Sequence, residues 1–167
     1  NKIGGSVRVL ERLSRSINHW VEDLLFALGI TMALIVANQV FFRYVLNQSL
    51  FWSEELARYQ LVWLTFLGAT VAYRRKVHPG IDVLVTRMAP AMQKATAVLT
   101  HVASMALFAV MILYGYQFAY FVRLQISPAL YLPKWIILSI IPLSGMILMV
   151  HGVTFLLEEL KRGGRDN

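Results

Sequence analysis

The 167 residues contain no cysteine, which excludes a disulfide framework and thiolate metal sites and leaves the redox compartment open. Histidine is sparse as well: His19, His78, His101 and His151 are dispersed, and none stands in a metal-ligand spacing such as HExxH. No glycine-rich phosphate loop occurs, and Gly4-Gly5 and Gly163-Gly164 read as flexible ends. Serine and threonine are scattered with no base at a recognisable spacing, so no catalytic constellation is present and an enzyme is not expected. Acids are few, nine against sixteen basic residues, and all nine fall in loops, tails or the first turn of an apolar run. Ion-coupled carriers usually place acids or broken helices near the membrane centre. A pump working alone is therefore not expected either.

What the chain does have is apolar length. Hydrophobic residues make up 57% of it and the mean hydropathy is +0.58, in blocks too long to be core helices of a soluble domain. The expected fold is all-α: a single membrane domain over 1–167, with four transmembrane helices preceded by an amphipathic interfacial helix. The net charge of +7 does not point to nucleic acid, because the basic residues flank apolar blocks, where they anchor and orient membrane segments. No processed signal peptide is visible in Asn1 to Gly5, so the first span is expected to act as an uncleaved anchor.

From Ser6 to Trp20, Val9, Leu10, Leu13, Ile17 and Trp20 share one side at helical spacing. Arg8, Glu11, Arg12, Arg15, Asn18 and His19 share the other. This predicts an amphipathic arm over 6–20 lying in the interface, with Trp20 as an anchor. Span one is 24–42, LLFALGITMALIVANQVFF, where Gly29, Ala33 and Ala37 recur every four residues and offer a face for close helix packing. Asn38 and Gln39 near its end either bond across helices or reach headgroups.

Span two is expected over 54–73. Ser53 reads as its N-cap, and Glu54 and Glu55 face the positive end of the helix dipole. Glu54 and Arg58 are four apart and can pair on one face. Gly68 and Ala72 form a second small-residue pair, and Arg74, Arg75 and Lys76 are expected as interfacial anchors. Arg43, Trp52, Glu54, Glu55 and Arg58 are the candidate partner contacts; the competing reading is dipole compensation and headgroup anchoring. Pro79-Gly80 should break the helix, with a short interfacial helix over 81–88 and Asp82 bracing the turn.

Spans three and four are expected over 95–122 and 134–157. Pro142 should bend the last, with Gly145 and Gly152 offering close approach, and 158–167 forms a polar tail. His101 and His151 each lie about six residues inside the same end of their spans. They either face each other as haem ligands, which would make the chain a membrane anchor of a redox complex, or bond separately to neighbouring helices. No cofactor or metal is expected on the main reading. Twelve of the sixteen basic residues fall in the amino-terminal segment, the middle loop and the tail, leaving Arg43, Arg58, Arg123 and Lys134 for the opposite side. Both termini are thus expected to be cytoplasmic.

The stretch FFRYVLNQSLFWSEELARYQLVWLTFLGATVAYRRKVHPGIDVL, from Phe41 to Leu84, resembles the small membrane subunit of the tripartite ATP-independent periplasmic (TRAP) transporters. The resemblance is carried by Arg43-Tyr44, Trp52-Ser53-Glu54-Glu55 with Arg58 and Tyr59, Trp63, Gly68-Ala69, and His78 with Ile81-Asp82. Ser127-Pro128-Ala129 and Ile141-Pro142-Leu143-Ser144-Gly145 are similar to the family's weaker second half, with Ser144 where glycine is more usual. It covers roughly Leu24 to Met149. It implies a four-span protein of the bacterial inner membrane that acts as a static scaffold. Its implied partners are a large multi-span permease subunit that carries an organic acid with sodium, a periplasmic substrate-binding protein, and phospholipid. Dicarboxylates, sialic acids and sugar acids are the implied substrate classes.

Overall fold

The computed structural model describes residues 2–75 and 90–163. Among these are the helices α1 (Lys2–Tyr44), α2 (Phe51–Arg74), α3 (Pro90–Phe121), α4 (Lys134–Leu138) and α5 (Ile140–Gly163). The only extended pairing among the described residues is an isolated bridge between Ile126 and Pro133. Lys76, His78, Pro79, Gly80, Asp82 and the short helix expected over 81–88 lie outside the described residues, as does the end of the tail.

The chain contains no proline between Ser6 and Tyr44, and α1 runs through the junction where an arm was expected to give way to a span. Its 43 residues reach about 64 Å, roughly twice a hydrocarbon core of about 30 Å. The face that α1 packs inward also differs from the apolar stripe of its sequence. Val9, Leu13 and Trp20 are exposed, whereas Ser14 and Val21 are buried and Leu10 and Ile17 are half-buried. Positions 10, 14, 17 and 21 form one helical row, and it is this row that meets the bundle. At the other end Asn47 adopts a left-handed φ of 51°, and the Gln48 N–H turns back to the Phe42 carbonyl at 3.0 Å.

Three helical stretches among the described residues are long and apolar enough to cross a membrane: Val9–Tyr44, Val98–Phe121 and Lys134–Leu157. The chain is thus a multi-pass membrane protein. Four such stretches were expected. α2 has the length, at 24 residues, but Glu54, Glu55, Arg58 and Gln60 dilute its first half. Ser53 is not the N-cap expected of it. The helix begins two residues earlier, and the buried Ser53 hydroxyl donates to the Leu50 carbonyl at 2.7 Å.

α5 lies at the centre, in contact with α1, α2 and α3. Val21, Leu67, Val71 and Ile140 form the buried cluster where α1, α2 and α5 meet, with Ile17, Trp63 and Phe66 against it. In the last span the regular helix is interrupted at Ser139, three residues before Pro142, although the Ser139 backbone itself stays helical at φ −60° and ψ −18°. Proline lacks the N–H that would bond the Leu138 carbonyl, and its ring crowds that turn. The Trp63 indole crosses to the break and donates to the Ile137 carbonyl at 3.2 Å. On the other side, α3 and α5 touch backbone to backbone. A Cβ at Gly115 would stand 2.9 Å from Ile141 Cγ2 and 3.1 Å from the Pro142 nitrogen, and one at Gly145 would stand 3.0 Å from Ile112 Cγ1.

Candidate functional site

The α1–α2 and α3–α4 connections gather at one end of the bundle, the loop end. Here the first turns of α2 present Phe51, Glu54, Glu55, Arg58 and Tyr59 to the segment Ser127–Leu132. Ser127 and Leu132 close that segment into a tight turn. The Ser127 N–H donates to the Leu132 carbonyl at 2.9 Å, and the Leu132 N–H donates to Ser127 Oγ at 3.2 Å. Tyr131 adopts a φ of 53° within it, a conformation uncommon for a bulky residue.

The Glu55 carboxylate holds this turn to α2. Its Oε2 accepts the N–H groups of Ala129 at 2.8 Å and Leu130 at 3.0 Å, and its Oε1 accepts the Tyr59 hydroxyl. Hydrogen bonds to an ionised acceptor are stronger than neutral ones, and two consecutive backbone donors fix the turn's orientation as well as its position. Buried Ser127 completes the site. Between α2 and the turn lies an open groove of about 420 Å³ lined by Phe51, Glu54, Arg58, Pro128 and Ala129.

The expected Glu54–Arg58 pair forms at 3.4 Å, but its side chains are 66% and 69% exposed. It is an ordinary surface ion pair of little energetic consequence. Glu55, grouped with Glu54 in the sequence reading, is the residue with tertiary partners. Arg43 stands over the Tyr44 ring at 6.0 Å, and Trp52 is exposed beside the groove residues without lining it.

At the opposite, terminal end, Glu22 of α1 receives the Arg75 guanidinium at 2.7 and 3.2 Å and the Asn18 amide at 2.8 Å. Arg74 lies 5.3 Å from the Phe155 ring centroid. The two arginines expected as headgroup anchors are therefore engaged by α1 and α5, while Trp20 is free to meet lipid at 75% exposure. His151 is fully buried, with Nδ1 2.8 Å from Ser14 Oγ. His101 packs on the Phe155 ring at 6.4 Å. Between α3 and α5 at this level, Met105 and Phe108 fill the space against Gly152, so the packing does not fit a haem held between the two imidazoles. Among the described residues no group of three or more His, Asp or Glu could hold a metal ion.

Of the small residues expected to pack, Gly145 and Gly152 meet another helix. Gly29 and Gly68 have nothing within 4 Å, and Ala33, Ala37 and Ala72 are exposed. Apart from Ser14, which meets His151, three buried hydroxyls turn to their own helices: Thr70 to the Leu67 carbonyl, Ser144 to Ile141 and Thr154 to Val150. Sequence reasoning named Tyr59 and Ser127 only as part of the family resemblance, with no role, and missed Ser14 and Gly115. The i, i+4 spacing of Glu55 and Tyr59 was a usable signal; the pairing of Glu55 with a turn 74 residues away was not.

Residues 32–162 match a family model described as tripartite ATP-independent periplasmic transporters, DctQ component. A Haemophilus influenzae protein named for a TRAP transporter small permease is 33% identical over 82 residues, 49% of this chain and 51% of that protein. The C4-dicarboxylate TRAP transporter small permease protein of Vibrio cholerae is 30% identical over 57% of this chain and 41% of its own length. The sialic acid TRAP transporter permease protein of Haemophilus influenzae is 37% identical over 48% of this chain but only 12% of its own length. This chain thus spans about half, or less, of the length of these relatives.

Proposed function

Because this chain belongs to the DctQ-component family of the tripartite ATP-independent periplasmic transporters, we propose that it is a non-catalytic scaffold subunit that braces a large permease subunit in the bacterial inner membrane. The observation that carries this reading is the interior of the bundle. No described acid lies within it, Thr70, Ser144 and Thr154 spend their hydroxyls on their own helices while Ser14 is taken up by His151, and α3 closes on α5 at Gly115 and Gly145. A helix bundle packed in this way offers no path for an ion or a solute and serves as a rigid body. The large partner is further suggested by the permease relative of which the matched segment is a small fraction.

In this reading the substrate is an organic acid taken up with sodium, a dicarboxylate or sialic acid being suggested by the names of the relatives. α2 serves as a fourth span, both termini are cytoplasmic, and the amino-terminal part of α1 continues past the cytoplasmic face of the bilayer. The loop end then faces the periplasm, where the groove beside Glu55 is a surface for the substrate-binding protein. The exposed apolar faces of α1 and α3 are covered by the permease subunit and by phospholipid.

The test is the mass and composition of the particle extracted from native membranes in mild detergent, with an absorption spectrum of the same fraction. A colourless particle containing a much larger, many-span polypeptide is the expected result. A Soret band, or a water-soluble oxidoreductase as the co-purifying chain, would overturn the scaffold reading.

A further inference from the structure

α3 and α5 stand so close at Gly115 that a Cβ there would lie 3.0 Å from the Pro142 ring. From there toward the loop end α3 runs beside α4 and the first turn of α5. Between them is a cleft of about 390 Å³ lined by Tyr116, Ala119, Trp135, Ser139 and Pro142, with Arg123 at its mouth. Its lining runs from Tyr116 on α3 to Arg123, just past the end of that helix.

The walls are mostly ring and aliphatic surface from Tyr116, Ala119, Trp135 and Pro142. The Ser139 hydroxyl donates to the Ile136 carbonyl at 2.6 Å. The mouth is different. The exposed Arg123 guanidinium lies 3.8 Å from the Tyr120 ring centroid and gives one hydrogen bond, at 3.2 Å, to the Tyr120 carbonyl. Among the described residues no carboxylate pairs with it. The remaining guanidinium donors are held on a ring at the rim and suit a phosphate. Trp135 and Tyr116 beside it have the amphipathic character of residues at headgroup level.

A soluble anion would use the arginine and leave the slot empty, and an apolar side chain would use the slot and leave the charge unmet. A phospholipid satisfies both. We propose that this cleft holds one phospholipid of the leaflet on the loop side, its phosphodiester on Arg123 and one acyl chain between α3 and the α4–α5 break. The proposal requires α3 and the last span to cross the bilayer and does not depend on the identity of any protein partner.

The whole complex, reconstituted in vesicles doped with a phosphatidylglycerol carrying a photoactivatable group on one acyl chain, tests this. Label should map to Tyr116, Ala119 or Ser139, fall about tenfold in Arg123→Gln, recover in Arg123→Lys, and stay unchanged in Arg43→Gln, which removes a charge at the same end outside the cleft. Arg123 is exposed, so its loss leaves the bundle intact, and recovery of the complex on the column confirms this separately. Equal labelling in Arg123→Gln, label spread evenly along the exposed face of α3, or cross-links from these positions to another polypeptide would each overturn the proposal. Failure of a large subunit to co-purify would refute the scaffold reading and leave this result standing.

Discussion

Two neighbouring carboxylates, alike in sequence, have different physical situations. Glu54 points into solvent with Arg58, and both side chains are about two-thirds exposed, so screening and side-chain entropy leave their attraction with little net effect. Glu55 receives two backbone N–H groups and a phenol, groups that would lose their acceptor if it were changed. Glu55→Gln puts an amide where only acceptors fit and should lower the melting temperature of the purified protein clearly more than Arg58→Leu does. Equal shifts in a detergent thermal melt would remove Glu55 from its role in holding the turn. Ser14 and His151 make the same point inside the bundle: a serine in the row of Leu10, Ile17 and Val21 is buried and bonds an imidazole on α5.

Among the elements, α5 carries the architecture. It touches α1, α2 and α3, and its approach to α3 is limited by two glycines on opposite helices, Gly115 and Gly145. Without water to drive helices together inside a bilayer, close packing of this sort is a main source of association. Gly115→Val should destabilise by about 1–3 kcal/mol, since its branches would enter the backbone at Pro142 and no flexible side chain end could give way. Gly29→Ala, with open space at its Cβ, should be neutral or slightly stabilising by helix propensity. Denaturant titration of both variants in the same detergent measures the difference. α1 adds a second lesson: a helix twice the length of a membrane core is tied down along its amino-terminal half by Ser14–His151 and Glu22–Arg75 together with Ile17 and Val21, while Val9, Leu13 and Trp20 of its apolar stripe stay exposed.

At the scale of the molecule, the exposed residues are the apolar ones. Phe26, Leu34, Leu113 and Phe121 are all more than 60% exposed, and their surroundings must be lipid or another protein. On the scaffold reading the charged loop end is the only part that meets a soluble partner, so its charge governs encounter more than assembly. Arg43→Glu should slow uptake driven by a purified binding protein several-fold at low salt, with the deficit shrinking as salt is raised, while recovery of the membrane complex stays unchanged. Uptake at the unmutated rate in low salt would remove Arg43 from docking.

The sequence by itself determined the class of the protein. Apolar runs bounded by basic clusters are local in the chain and report directly on the solvent each segment prefers, and helical periodicity with few breakers makes those runs helices. The family resemblance through Trp52-Ser53-Glu54-Glu55 was legible for the same reason, as a pattern held within one stretch. Only the tertiary structure decided which of two adjacent glutamates is tied down, which row of α1 faces inward, and which glycines stand at a contact. Each of those depends on atoms brought together from distant parts of the chain: Glu55 with Ala129 and Leu130, Ser14 with His151, Gly115 with Pro142. In a membrane the apolar residues have nowhere better to go than lipid, so apolarity fixes that a helix crosses but not which face it turns to its neighbour. Hydrogen bonds and backbone clearance make that choice, and they exist only once the helices have met.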